Sequence, residues 1–146
     1  MKINGSSIVV VGASAGGMEA LSRLVEPLPA DFSAAVLVVQ HMAADSTGDA
    51  LVKTLGIKGK LECRHAQDGE KIRNGRIYVS QPDHHMLVDG ERILITKGAR
   101  ENRSRPGIDP LFRSAAVSHG NRVIGVLLTG YLDDGTAGLI SRQKKR

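Results

Sequence analysis

The stretch that most restricts the fold of this chain runs from an apolar segment through a glycine-rich turn into an amphipathic one. Residues 6–11 (SSIVVV) form a short β-branched run with no polar alternation, which predicts a strand buried on both faces. Residues 12–17 (GASAGG) then break the run. From residue 17 to 26, Met18, Leu21, Leu24 and Val25 recur at helical spacing, and Pro27 and Pro29 stop the pattern. A second unit follows: residues 34–40 (AAVLVVQ) predict another buried strand, and residues 46–55 (STGDALVKTL) a helix with Ser46 or Thr47 as its cap. Two successive strand-helix units require a parallel sheet.

The middle of the chain changes character. Residues 61–64, 76–79, 86–88 and 92–96 predict short strands, with Asn74-Gly75 and Asp89-Gly90 as hairpin signals. We expect an antiparallel meander set into or beside the parallel sheet. Residues 110–118 return to helix with Asp109 as cap, and residues 123–128 (VIGVLL) predict a further buried strand ending in TGYLDDG at 129–135. There is no internal repeat, low-complexity segment or linker. The expectation is one doubly wound, mainly parallel α/β domain over residues 1–146, Rossmann-like in its three layers, with an antiparallel hairpin insertion.

Bulk properties exclude several function classes. Cys63 is the only cysteine, and the chain shows no secretory leader and no bilayer-spanning apolar run, so a reducing cytoplasm and no membrane insertion are expected. The formal charge is +5, but Arg142, Lys144, Lys145 and Arg146 supply four of those positive charges from the last five positions. With 3% aromatic residues and no tryptophan there is little on which to stack bases. Nucleic acid is not an expected partner.

In doubly wound sheets, ligands and catalytic groups collect just past the carboxyl ends of the strands. Three loops qualify: those carrying Ser14, His41, and Asp133 with Asp134. Gly12-Ala13-Ser14-Ala15-Gly16 fits G-x-S-x-G, the turn that presents a nucleophilic serine above helix-start amides. Those amides would equally suit a phosphate. Against a nucleotide stand the spacing, which is not G-x-G-x-x-G, the missing Lys-Ser/Thr of a P-loop, and Gln40-His41 where a ribose-binding carboxylate would stand. A third reading makes Ser14 a bystander in a tight turn. Serine, histidine and aspartate at three strand ends suit nucleophile, base and orienting carboxylate. Their order, Ser-His-Asp, is not the Ser-Asp-His order of α/β-hydrolases. His84 and His85 fit a solvated loop pair or the cleft wall, and His65 and His119 structural or exposed roles. No Cys or His spacing resembles a zinc site. Arg103 and Arg105 place two guanidiniums before a helix, suited to an acidic partner or to solvent.

Six motifs, GASAGG, QHM, AQDGE, QPDHHM, NRSRPGIDPLF and LLTGYLDDGTAG, occur in the order and approximate spacing found in chemotactic protein-glutamate methylesterases. The chain resembles that family, CheB, over nearly its whole length. The resemblance implies a serine hydrolase that demethylates glutamate γ-methyl esters on the cytoplasmic helices of chemotaxis receptors, often also deamidating glutamines. It casts Ser14 as nucleophile, His41 as base and Asp134, rather than Asp133, as the orienting acid. Backbone amides near Ala15 and Tyr131 become oxyanion donors, and no metal or organic cofactor is implied. Ala15 stands where the family often has threonine, and Tyr131-Leu132 where it commonly has Met-Gly. The resemblance also predicts a catalytic domain with an incomplete carboxyl-terminal end and no receiver domain. The alternative is a non-catalytic nucleotide- or receptor-binding module on the same fold.

Overall fold

The computed structural model describes residues 7–14, 17–42, 46–100 and 105–128. Five strands form a parallel sheet in the order β3-β4-β2-β1-β7: β1 (Ile8–Ala13), β2 (Ala35–Gln40), β3 (Glu62–His65), β4 (Arg76–Val79) and β7 (Val123–Leu128). A separate antiparallel pair, β5 (His85–Asp89) and β6 (Arg92–Thr96), makes the hairpin. Helices α1 (Gly17–Val25) and α2 (Asp49–Lys58) cover one face of the sheet, and α3 (Ile108–His119) with the hairpin covers the other. The doubly wound, mainly parallel architecture is the expected one.

Alternation along the strands divides the core. Ile8 and Val10 of β1, with Ala35, Leu37 and Val39 of β2, pack toward α3 and the hairpin. Val9, Val11 and Ala13, with Val36 and Val38, pack toward α1 and α2. Every residue of β1 and β2 is buried, which is why neither run shows a polar alternation. On α3, Ile108, Leu111, Phe112, Ala115, Ala116 and His119 form one buried stripe at three- and four-residue spacing.

The expected meander is corrected. β3 and β4 join the parallel sheet, and among the described strands only β5 and β6 run antiparallel. The reason lies at Asn74-Gly75: the Gly75 N–H donates to Ala34 O at 2.9 Å, so the turn docks on the start of β2 and feeds β4 parallel to it. Asp89 pairs with Arg92 and Gly90 takes φ +61°, so the second signal is a true two-residue hairpin loop.

Two expected caps are also corrected. α2 begins at Asp49 behind Gly48, whose φ of +77° no side chain caps; Thr47 Oγ1 only accepts the Asp49 N–H at 3.2 Å. A Cβ on Gly48 would lie 3.1 Å from both His65 Cε1 and Met42 Cε, so these side chains would have to give by a few tenths of an ångström, and the φ of +77° itself favours glycine. α3 begins behind Gly107, with Asp109 inside its first turn, 1% exposed, where its charge suits the helix dipole.

Candidate active site

The carboxyl edge of the sheet is the natural site, because β1 has β2 on one side and β7 on the other, reached over opposite faces. Ala13 is in register with Gln40 and with Leu128, so the three strands end level. Ser14 follows β1 directly and is 2% exposed. Its N–H donates to Leu128 O at 3.4 Å, and its carbonyl accepts the Gly17 N–H at 3.0 Å, closing the turn into α1. His41 follows β2 directly, half-buried, and its N–H donates to Ala13 O at 2.8 Å. Ser14 and His41 therefore leave neighbouring parallel strands at one level of the edge. Ala15, Tyr131, Asp133 and Asp134 lie outside the described residues, as do Asn102, Arg103 and Ser104.

The small first residue of the G-x-S-x-G turn has a packing cause. A Cβ on Gly12 would sit 2.5 Å from Ile108 Cγ2, far inside contact distance, so the first residue of α3 rests on bare backbone two positions before Ser14. The start of α3 is held in turn by His85. This residue is 3% exposed; its Nδ1 accepts the Gly107 N–H at 3.0 Å and its Nε2–H donates to Ala99 O at 2.7 Å. His85 is thus a buried tie between the 97–100 segment and α3, not half of a solvated pair. Its role was hidden because both partners are backbone groups distant in sequence.

The other histidines take distinct positions. His119 Nε2–H donates to Gly90 O at 2.7 Å, and burial holds the imidazole below its ordinary value. His65 bridges Ser80 O at 3.3 Å and Asp49 Oδ1 at 3.1 Å. His84 donates from Nδ1 to Pro82 O at 2.7 Å and, with Gln67, Asp68, Gln81 and Ile95, lines a cleft of about 310 Å³. Gln67 and Gln81 each follow a strand, β3 and β4, by two residues, so this cleft opens on the same carboxyl edge as Ser14 and His41. Burial pushes the Cys63 thiol up to about 12, which leaves no thiolate nucleophile at neutral pH. Among the described residues no group of three or more His, Cys, Asp or Glu side chains is placed to hold a metal ion, and no helix is long and apolar enough to cross a membrane.

The CheB methylesterase family model matches residues 9–145. The chain is 38% identical over 142 residues to protein-glutamate methylesterase/protein-glutamine glutaminase 2 of Rhodospirillum rubrum, covering 94% of this chain and 39% of that protein. It is 41% identical over 142 residues to the protein-glutamate methylesterase/protein-glutamine glutaminase of Bordetella pertussis, covering 94% and 40%. The chain therefore spans about two fifths of the length of these curated relatives. Its fold is similar to the CheB methylesterase catalytic domain of Thermotoga maritima, with a TM-score of 0.90, 31% identity, and coverage of 97% of this chain and 76% of that one. With the family model matched over residues 9–145 and the level strand ends and hairpin-backed α3 in place, the chain belongs to the CheB methylesterase family.

Proposed function

We propose that this chain is a serine hydrolase that removes the methyl group from glutamate γ-methyl esters on the cytoplasmic helices of chemotaxis receptors, and that it acts on receptor glutamines by the same route. Ser14 Oγ attacks the ester carbonyl while His41 takes its proton. The proton passes to the departing methanol, and a water activated by His41 then hydrolyses the acyl-enzyme. Asp134 orients His41 and stabilises its charged form, and the amides of Ala15 and Tyr131 meet the oxyanion. The reaction as written uses no metal or organic cofactor, and it belongs in the cytoplasm with the receptor helices.

The observation that carries this reading is the pairing of strand ends, with the His41 N–H on Ala13 O beside Ser14. Side-chain alternation strengthens it. Continued one residue past each strand, the pattern that sends Val10 and Val39 toward α3 sends Ser14 and His41 to that face too. A phosphate cradle is less well supported, since the turn lacks the G-x-G-x-x-G spacing and β2 ends in Gln40-His41 where a ribose-binding carboxylate would stand. The test is methanol release from a peptide bearing a glutamyl γ-methyl ester. Ser14→Ala should lower turnover by at least about a thousandfold while the melting transition stays in place. Turnover undiminished in that variant overturns the assignment.

A further inference from the structure

The loop between β4 and β5 gathers more positive charge than its one carboxylate balances. Asp83 takes φ +56°, a left-handed conformation unusual for a residue with a side chain. Its Oδ1 accepts the Arg105 Nε–H at 2.9 Å, with Arg100 Nη2 at 3.7 Å from the same oxygen and Lys97 Nζ at 3.4 Å from Oδ2. Among the described residues three cations meet this one anion, two more positive charges than it balances. The Arg105 hydrogen bond, with Lys97 adding to it, holds the Asp83 carboxyl well below the usual range, at about 2, so the arrangement persists at neutral pH.

The three cations are not equivalent. Arg105 is 17% exposed and also donates to Gly98 O at 3.1 Å, so it is a structural strut. The side chains of Lys97 and Arg100 are 59% and 49% exposed and stand farther from the carboxylate, within reach of a ligand from solvent. The cluster is also fixed relative to the cleft and to α3. His84, next to Asp83, lines the cleft with Gln67 and Gln81, and His85 ties Ala99 to the Gly107 cap whose neighbour Ile108 rests on Gly12.

We infer that Lys97 and Arg100, anchored by Asp83, form a carboxylate-reading rim that binds acidic side chains flanking the target glutamyl ester. The inference rests on the esterase reading for the identity of that target. The adjoining cleft offers carboxamides, an imidazole and the Asp68 carboxylate, which accepts the Ile95 N–H, so it suits the neutral polar side chains of a peptide and leaves the acidic ones to the rim. A polynucleotide would want aromatic platforms, and the composition holds 3% aromatic residues. Exposed ion pairs are individually weak and screened by salt, so the rim confers a modest, salt-sensitive preference.

The experiment compares two peptides with the same central glutamyl γ-methyl ester, one flanked by glutamates and one by glutamines, on the whole chain. Wild type should favour the acidic peptide in kcat/KM by about 3- to 10-fold at low salt, and Lys97→Gln with Arg100→Gln should bring the ratio close to 1. Fluorescence anisotropy with the corresponding demethylated peptides reads the same ratio in Kd without any turnover. Inactivity with the Kd ratio intact would fail the esterase reading and leave the rim standing. The rim is overturned by a wild-type ratio near 1, by a ratio that survives in the double variant, or by a single-stranded oligonucleotide of equal charge displacing the acidic peptide.

Discussion

The two faces of the sheet are built differently. On the α1 and α2 face, contact is almost wholly apolar, with Leu21 and Val25 of one helix and Leu51 and Leu55 of the other against Val9, Val11, Val36 and Val38. On the opposite face, α3 shares an apolar stripe with the sheet, but polar side chains bind it to the hairpin. Ser114 Oγ accepts the Val88 N–H at 2.9 Å; Ser118 Oγ accepts the Gly90 N–H at 3.0 Å and donates to Val88 O at 3.2 Å; His119 donates to Gly90 O. A two-stranded ribbon does not hold its place alone, and these directional bonds fix its orientation. The first face supplies stability without direction. The second aims the start of α3 at the turn that carries Ser14.

That difference predicts a graded set of outcomes. Leu55→Ala on the apolar face should cost about 2–5 kcal/mol in chemical denaturation, with little change in site behaviour in the fraction that remains folded. A large loss of site function at full folding would break the division. His85→Ala should cost less overall, about 1–3 kcal/mol for the buried Gly107 N–H left without a partner, since the carbonyl of the exposed Ala99 can turn to water. Its signature is local: hydrogen exchange at Gly107 and Ile108 should accelerate ahead of the sheet, and uniform acceleration would deny His85 an aiming role. Gly12→Ala should cost about 1–3 kcal/mol by overpacking against Ile108. Because Ile108→Ala removes the atoms in the way, the double variant should be less destabilised than the sum of the singles, and strict additivity would contradict the contact.

The smallest effect is one of pH. Burial lowers the His119 pKa in the folded chain below the ordinary 6.5, so the unfolded chain takes up its proton first as the solution is acidified. The stability tied to neutral His119 is complete above pH 6.5 and is lost as the pH falls from there toward the lower folded value. His119→Gln, which keeps a donor for Gly90 O, should flatten this part of the stability profile. An unchanged slope would place the acid sensitivity elsewhere.

Much of the architecture was legible in local pattern. The unbroken apolar runs of β1 and β2 and the 3.6-residue stripes of the helices announce themselves because burial on both faces, or on one, imposes each period; β7, also expected to be a buried strand, instead buries only Val123 and leaves Ile124 46% exposed. Less legible was whatever depends on a partner far along the chain. Asn74-Gly75 has hairpin chemistry, yet its bond to Ala34 O makes it the entry to a parallel strand. Ser46 and Thr47 are good caps by type, but the left-handed Gly48, packed beside His65 and Met42, takes the cap position of α2. The placement of Ser14 and His41 at one level of the carboxyl edge was readable because each follows a strand directly. The support from Ile108 and His85 was not, since a glycine contact and two backbone bonds leave no motif.

The central claim is that Ser14 is the nucleophile of this edge. It is tested most directly by treating the chain with a serine-reactive fluorophosphonate and mapping the labelled peptide. The account predicts a single adduct on Ser14, absent in Ser14→Ala and suppressed in His41→Gln. Labelling at another residue, or ester turnover in a chain that takes no label at Ser14, would contradict it.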